Sequence, residues 1–185
     1  MIYPIVVYGN PSLRKISESI DASYPGLEKL VADMFETMYS SDGVGLAAPQ
    51  IGKSIRLFVV DAAPMADDSP ILKDFKKVFI NAQIISDAGE PWAFSEGCLS
   101  LPDIRENVNR KESIVVKYQD ENFVHHEESF DGIKARIIQH EYDHLEGKLF
   151  IDHISPIRKR MIGSKLTAIE KGKVDPNYRV KFYKK

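Results

Sequence analysis

Residues 139–147, QHEYDHLEG, constrain this chain more than any other stretch. They place His140 and His144 four positions apart, with Glu141 directly after the first. On a helix of 3.6 residues per turn, positions i and i+4 lie almost above one another, so both imidazoles project together. Glu141 leaves at an angle, close to whatever the imidazoles hold. This is the H-E-x-x-H arrangement, in which two histidines bind a metal and the carboxylate serves as base toward its water. Ile133 and Ile137 share the histidine face, while Ile138, Tyr142 and Leu145 occupy another. A helix apolar on two sides is buried on both, which predicts a central helix. It should begin near Ser129 or Asp131 and stop at Gly147, a residue suited to the position just past a helix end.

The rest of the chain must enclose that helix. Leu27, Leu30, Val31, Met34, Phe35 and Met38 recur with helical period, with Pro25 before them and SSDG at 40–43 after them. The runs at 55–62, 78–85 and 113–120 read as strands, and Glu121-Asn122 makes a tight turn into FVHHEESF. Residues 62–77 read as a polar surface excursion, and NYRVKFYKK at the end alternates like an edge strand. Strands and helices do not follow one another in βαβ units. The expected class is therefore α+β, with antiparallel sheets packed around the central helix that carries the histidine pair.

With 185 residues and 43% hydrophobic content, the chain suits one domain spanning 1–185. The N-terminus lacks a basic start followed by an apolar run, and no stretch approaches the length of a membrane span. A lone cysteine, Cys98, excludes an internal disulfide and makes a reducing cytoplasm the simplest compartment. The net charge of −2 is uneven: residues 158–185 carry ten Lys and Arg against two acids, Glu170 and Asp175. That basic C-terminal segment is either a solvated face or a contact for an anionic partner such as RNA.

A pair of histidines needs a third ligand. A His three residues after Gly147 would complete one common pattern, but that position is Phe150, and His153 comes three residues later still. Glu170 lies at a suitable sequence distance, in a very basic segment. Cys98 lies in EGCLSLP, preceded by Gly97 and Glu96; an acid beside a thiol suits a residue that orients another group. These alternatives leave the third ligand open; a peptide-cleaving metalloenzyme and a catalytically silent RNA-binding protein are both compatible with them.

Three segments, GVGLAAPQIG at 43–52, EGCLSLP at 96–102 and QHEYDHLEG at 139–147, together and in this order resemble the peptide deformylase family. The flanking MFETMYSSDG and KLFIDHISP resemble it too. The resemblance implies Cys98, His140 and His144 as metal ligands with water in the fourth position. It implies Fe²⁺ as the usual ion, one per chain, which Zn²⁺ or Ni²⁺ replaces; a Cys-His-His set is compatible with all three. The implied reaction is hydrolysis of the N-formyl group from the initiator methionine of newly synthesised polypeptides, releasing formate. Glu141 would be the base, and the side-chain amide of Gln50 and the backbone N–H of Leu99 the donors to the developing oxyanion. The N-formyl-methionyl peptide would lie extended along Gly45 and the 96–100 loop as an added strand. Val44, Ile133, Ile137, Tyr142 and Phe94 are candidates for the methionine slot, and Arg136 stands at its rim where several relatives carry an apolar residue. The partners implied are nascent chains and, through the basic C-terminal segment, the ribosome; the expected assembly is a monomer.

Overall fold

A computed structural model of the chain describes residues 1–66 and 70–183. The order of elements is β1 (Ile5–Val6), α1 (Leu27–Tyr39), β2 (Gly45–Ala47), β3 (Leu57–Asp61), β4 (Lys76–Cys98), β5 (Leu101–Gln119), β6 (His125–Asp131), α2 (Gly132–Leu145), α3 (Pro156–Met161), α4 (Gly163–Glu170) and β7 (Val180–Lys181). β2 to β6 form one five-stranded antiparallel sheet in sequence order, and β1 pairs with β7 in a separate parallel ribbon.

The α+β architecture follows from how the helices cover this sheet. α1 buries Leu30, Val31, Met34, Phe35 and Met38 against Leu57, Val59, Val78 and Ile80. α2 lays Ala135, Ile138 and Leu145 against Phe58, Val60, Phe79 and Val116. Alternate residues of β3 thus feed two cores, as a period of two requires. A third core joins Ile104 and Val108 of β5 to Phe150, Ile162, Leu166 and Ile169.

The helix carrying the histidines is central, as its two apolar faces predicted. Its start is later than Ser129, which pairs with Val115 in β6, and Asp131 is its N-cap. Gly147 adopts φ +66°, and a β-carbon there would lie 2.6 Å from the carbonyl oxygen of Arg14, so the turn after the helix needs glycine.

The strands at 78–85 and 113–120 are only the ends of much longer ones. β4 and β5 pair along most of their lengths, interrupted by register shifts between Ile80/Gln83, Ile84/Ser86, Ala88/Pro91 and Gly97/Cys98. Such bulges twist and bend the ribbon, so one strand serves both the α2 core and the third core. The last shift delivers Cys98 to the end of the ribbon. The excursion at 62–77 is not purely a surface feature: Leu72 and Phe75 are buried, while Asp67, Asp68 and Ser69 lie outside the described residues. Of the run 177–185, only Val180–Lys181 form a strand, β7, an edge strand of the two-stranded ribbon with β1, Ile5 opposite Val180; Lys184 and Lys185 lie outside the described residues. Within the basic segment, α3 and α4 were not read from the sequence. Among the described residues, no helix is long and apolar enough to cross a membrane.

Candidate metal centre and active site

The Sγ of Cys98 and one ring nitrogen each of His140 and His144 lie within 4.8 Å of one another. Two polypeptide features deliver them. The helical spacing aligns the two imidazoles, and the bulge ending β4 turns the thiol toward α2, with Sγ 3.4 Å from Nε2 of His144. No other such group of His, Cys, Asp and Glu occurs among the described residues.

Glu96 explains the orientation of His140. Its Oε2 accepts from Nδ1 of His140 at 2.9 Å. Its oxygens also accept from Arg110 Nε at 2.7 Å, Arg110 Nη2 at 3.0 Å and Arg136 Nη1 at 3.0 Å. Burial raises the Glu96 carboxyl, but His140 and Arg110 overcome that and hold it far below the usual carboxylate range. An ionised carboxylate can only accept, so Nδ1 of His140 carries a proton and Nε2 is the ring nitrogen placed to hold an ion. The acid beside the thiol does orient another group, and that group is His140.

Protein groups alone set the charge of the donors. Burial pushes the Cys98 thiol up, but His144 and His140 outweigh it and leave the thiol lowered to about 5. Burial lowers His140, yet Cys98 and Glu96 raise it well above its ordinary value. A thiolate and two convergent imidazoles in a buried pocket form a soft, partly anionic donor set, which fits a borderline divalent ion such as Fe²⁺, Zn²⁺ or Ni²⁺.

Glu141 is buried at 5% exposure, and its Oε2 has no hydrogen-bond partner. Burial pushes its carboxyl up to about 7, with the two histidines pulling the other way. A β-carbon at Gly45 would lie 2.8 Å from Cδ of Glu141, so β2 carries glycine where the carboxylate approaches its backbone. Gln50 is equally fixed. It is 2% exposed; its Oε1 accepts the N–H of Ala47 at 2.9 Å, which turns Nε2 toward Cys98 Sγ (3.4 Å) and Ser100 Oγ (3.3 Å).

A cavity of about 510 Å³ opens over these groups. Val44, Gly45, Gln50, Cys98, Leu99, His140 and Glu141 all line it; His144, buried behind, does not. Of the apolar slot candidates, Val44, Phe94, Ile133 and Ile137 line it, whereas Tyr142 turns away, its ring under Arg56 at 5.6 Å. Arg136 is more than a rim residue. It is 2% exposed, donates to the carbonyls of Val108 (2.9 Å) and Trp92 (2.6 Å), and lies 4.5 Å over the Trp92 ring, tying the β4–β5 ribbon to α2.

Arg110 and Asp143 escaped the sequence reading. Arg110 Nη1 donates to Asp143 at 2.7 Å, extending the Glu96 cluster. The signal was available: in β5 every second residue from Ile104 to Arg110 points inward, and two of those four, Glu106 and Arg110, are charged. Charges at inward positions must be paired.

An H-E-x-x-H helix with a thiolate and a buried, unpartnered carboxylate defines the class: a metal-dependent hydrolase. Comparison narrows it. The family model described as polypeptide deformylase matches residues 2–160. A peptide deformylase of Flavobacterium psychrophilum is 53% identical over 192 residues, covering 100% of this chain and 99% of the relative. One from Christiangramia forsetii is 52% identical over 189 residues, covering 98% and 96%. The crystal structure of a peptide deformylase from Legionella pneumophila superposes with a TM-score of 0.81 at 38% identity, covering 94% of this chain and 98% of that one. The chain belongs to the peptide deformylase family.

The Glu96 geometry carries a prediction. Changing Glu96 to Gln keeps the volume and leaves Arg110 paired with Asp143, but removes the acceptor charge behind His140. Metal affinity should fall by about 10–100-fold, the usual effect of losing such a supporting partner. Chelator competition measures it, and unchanged affinity would mean His140 needs no orienting carboxylate.

Proposed function

We propose that the chain hydrolyses the N-formyl group of N-formyl-methionyl nascent peptides through Glu141, Gln50 and Leu99, with Cys98, His140 and His144 holding the ion. The observation that carries this reading is the buried, unpartnered Oε2 of Glu141 beside the Cys98, His140 and His144 donors. A divalent ion there would make a bound water more acidic and polarise the formyl oxygen. Glu141 accepts the proton of the attacking water and returns it to the departing amine nitrogen, so that water and a formamide become formate and a free amino terminus. Gln50 Nε2, aimed by its bond to Ala47, donates to the oxygen of the tetrahedral carbon, and the N–H of Leu99 is the second donor.

Binding is assigned to the same walls. The peptide extends along Gly45 and residues 96–100, which are the end of β4 and the turn after it, with Val44, Ile133 and Ile137 around the methionine side chain. The slot is apolar because a thioether side chain offers little to hydrogen-bond. Substrates that emerge from translation place the enzyme in the cytoplasm. Residues 1–185 act as one catalytic domain with a basic segment at 158–185. Part of that segment's charge is matched internally: Arg158 pairs with Glu106 at 2.7 Å and Lys159 with Asp152 at 3.2 Å. A ribosomal contact therefore falls to exposed groups such as Arg160, and would weaken steeply with salt.

Changing Gln50 to Leu tests the donor assignment. It should lower kcat by about 10²–10³-fold with KM little changed, the scale of one lost oxyanion donor. An unaltered kcat would remove Gln50 from the transition state.

The ion is assigned as Fe²⁺. An iron–thiolate centre oxidises at both the metal and the sulfur. Activity of the iron-loaded enzyme should decay in air, while the nickel-loaded enzyme persists. Equal lifetimes, followed by formate release over hours, would contradict an iron–Cys98 centre.

A further inference from the structure

The turn between β4 and β5, Leu99 and Ser100, is anchored from three directions. Gln50 Nε2 reaches Ser100 Oγ at 3.3 Å. The N–H of Tyr8, just past β1, donates to the Ser100 carbonyl at 2.8 Å. The Tyr178 hydroxyl donates to the Leu99 carbonyl at 2.8 Å. The last two anchors come from opposite ends of the chain, and those ends are joined. Ile5 N–H donates to the Arg179 carbonyl at 2.8 Å, and Val6 stands opposite Lys181. Tyr178 is therefore delivered to the site by a segment that β1 holds in place.

The ring of Tyr178 packs with Leu99 against the α1 core and also borders the cavity. Burial, with the nearby Cys98 charge, raises its phenol well above the ordinary value, so the hydroxyl remains a donor at any working pH. The Leu99 carbonyl belongs to the peptide unit following Leu99, and the Leu99 N–H to the one preceding it. Only two soft dihedrals separate them. Holding the carbonyl limits how far the N–H can swing. Tyr178 lies beyond the residues 2–160 that the family model matches.

We propose that Tyr178 is a positioning residue for the reaction: its hydroxyl fixes the Leu99 peptide so that the Leu99 N–H faces the reacting formyl oxygen. This rests on the reading of that N–H as an oxyanion donor. It gives the C-terminal segment a catalytic purpose separate from its charge, as a latch closed by β1.

Changing Tyr178 to Phe keeps the ring and removes only the hydroxyl. Amide hydrogen exchange over residues 98–101 should quicken about tenfold, the scale of one lost hydrogen bond, with exchange in α2 unchanged. At equal metal content kcat should fall about tenfold with KM within about twofold, because the lost geometry matters in the transition state. Changing Tyr183, an exposed tyrosine of the same segment, to Phe should alter neither quantity. Unchanged exchange at the turn overturns the proposal while leaving the oxyanion reading intact. Faster exchange with unaltered kcat overturns both, since the N–H would then be loosened without consequence. A raised KM with unaltered kcat makes Tyr178 a substrate contact and also overturns it. In the unaltered protein, the Tyr178 hydroxyl proton should exchange slowly enough to be resolved by NMR. A rapidly exchanging proton overturns the proposal even where the Phe variant does not fold.

Discussion

Replacing Glu141 with Gln is expected to leave the metal bound and to lower kcat by about 10²–10⁴-fold, the contribution of a well-placed general base. The proposed ligands Cys98, His140 and His144 are untouched, and an amide of the same size fills the space against Gly45. What disappears is the ability to take a proton from water and give it to the amine. Burial has already raised the carboxyl to about 7 from the protein groups alone. A bound cation favours the ionised form and moves this downward. The base works only when deprotonated, so activity should be lost as pH falls through its value in the loaded enzyme, on a limb below about 7, and the Gln variant should lack that limb. Metal analysis beside the pH profile of kcat checks both parts. Full turnover in the variant would mean that the base is another group.

Changing Cys98 to Ala is expected to abolish metal retention and with it activity, an effect larger than the 10–100-fold set by a supporting residue such as Glu96. The other ligand candidates cannot compensate. His153 is engaged with Asp143, its Nε2 2.7 Å from Oδ2. Glu170 ends α4 on a different surface, where its Cγ would meet a β-carbon at Gly9. Equilibrium dialysis with Zn²⁺ or Ni²⁺ measures retention directly. A Cys98→Ala protein that holds its ion with unaltered affinity would return the third ligand to one of those residues and reopen the peptide-cleaving alternative.

Much of this site was legible because its chemistry is local. Two histidines at i and i+4 meet on one helix wherever that helix lies, and the apolar pattern on both sides of α2 required it to be central. The β4–β5 ribbon was less legible. Its bulges break the period of two, and its inward row carries Glu106 and Arg110 where apolar residues would have marked a strand. Their partners, Arg158 for Glu106 and both Glu96 and Asp143 for Arg110, are set by tertiary contact and not by spacing. The C-terminal segment was hardest to read. Its many lysines and arginines resembled a solvated tail, yet Leu166 and Ile169 are spaced to bury one face of α4. The partner of β7 is β1, at the far end of the chain, and no local pattern announces such a pairing. Tyr142 went the other way: it was a candidate for the methionine slot, while its ring lies under Arg56 and does not line the cavity.

The most direct test is formate release. The protein, purified without oxygen and assayed for bound iron, zinc and nickel, is given an N-formyl-methionyl peptide before and after stripping with a chelator. The result predicted is one formate per peptide deformylated by the loaded protein, none after stripping, and recovery when the ion is restored. Formate release that survives complete removal of metal, or a loaded protein that leaves the formyl group in place, would contradict the account.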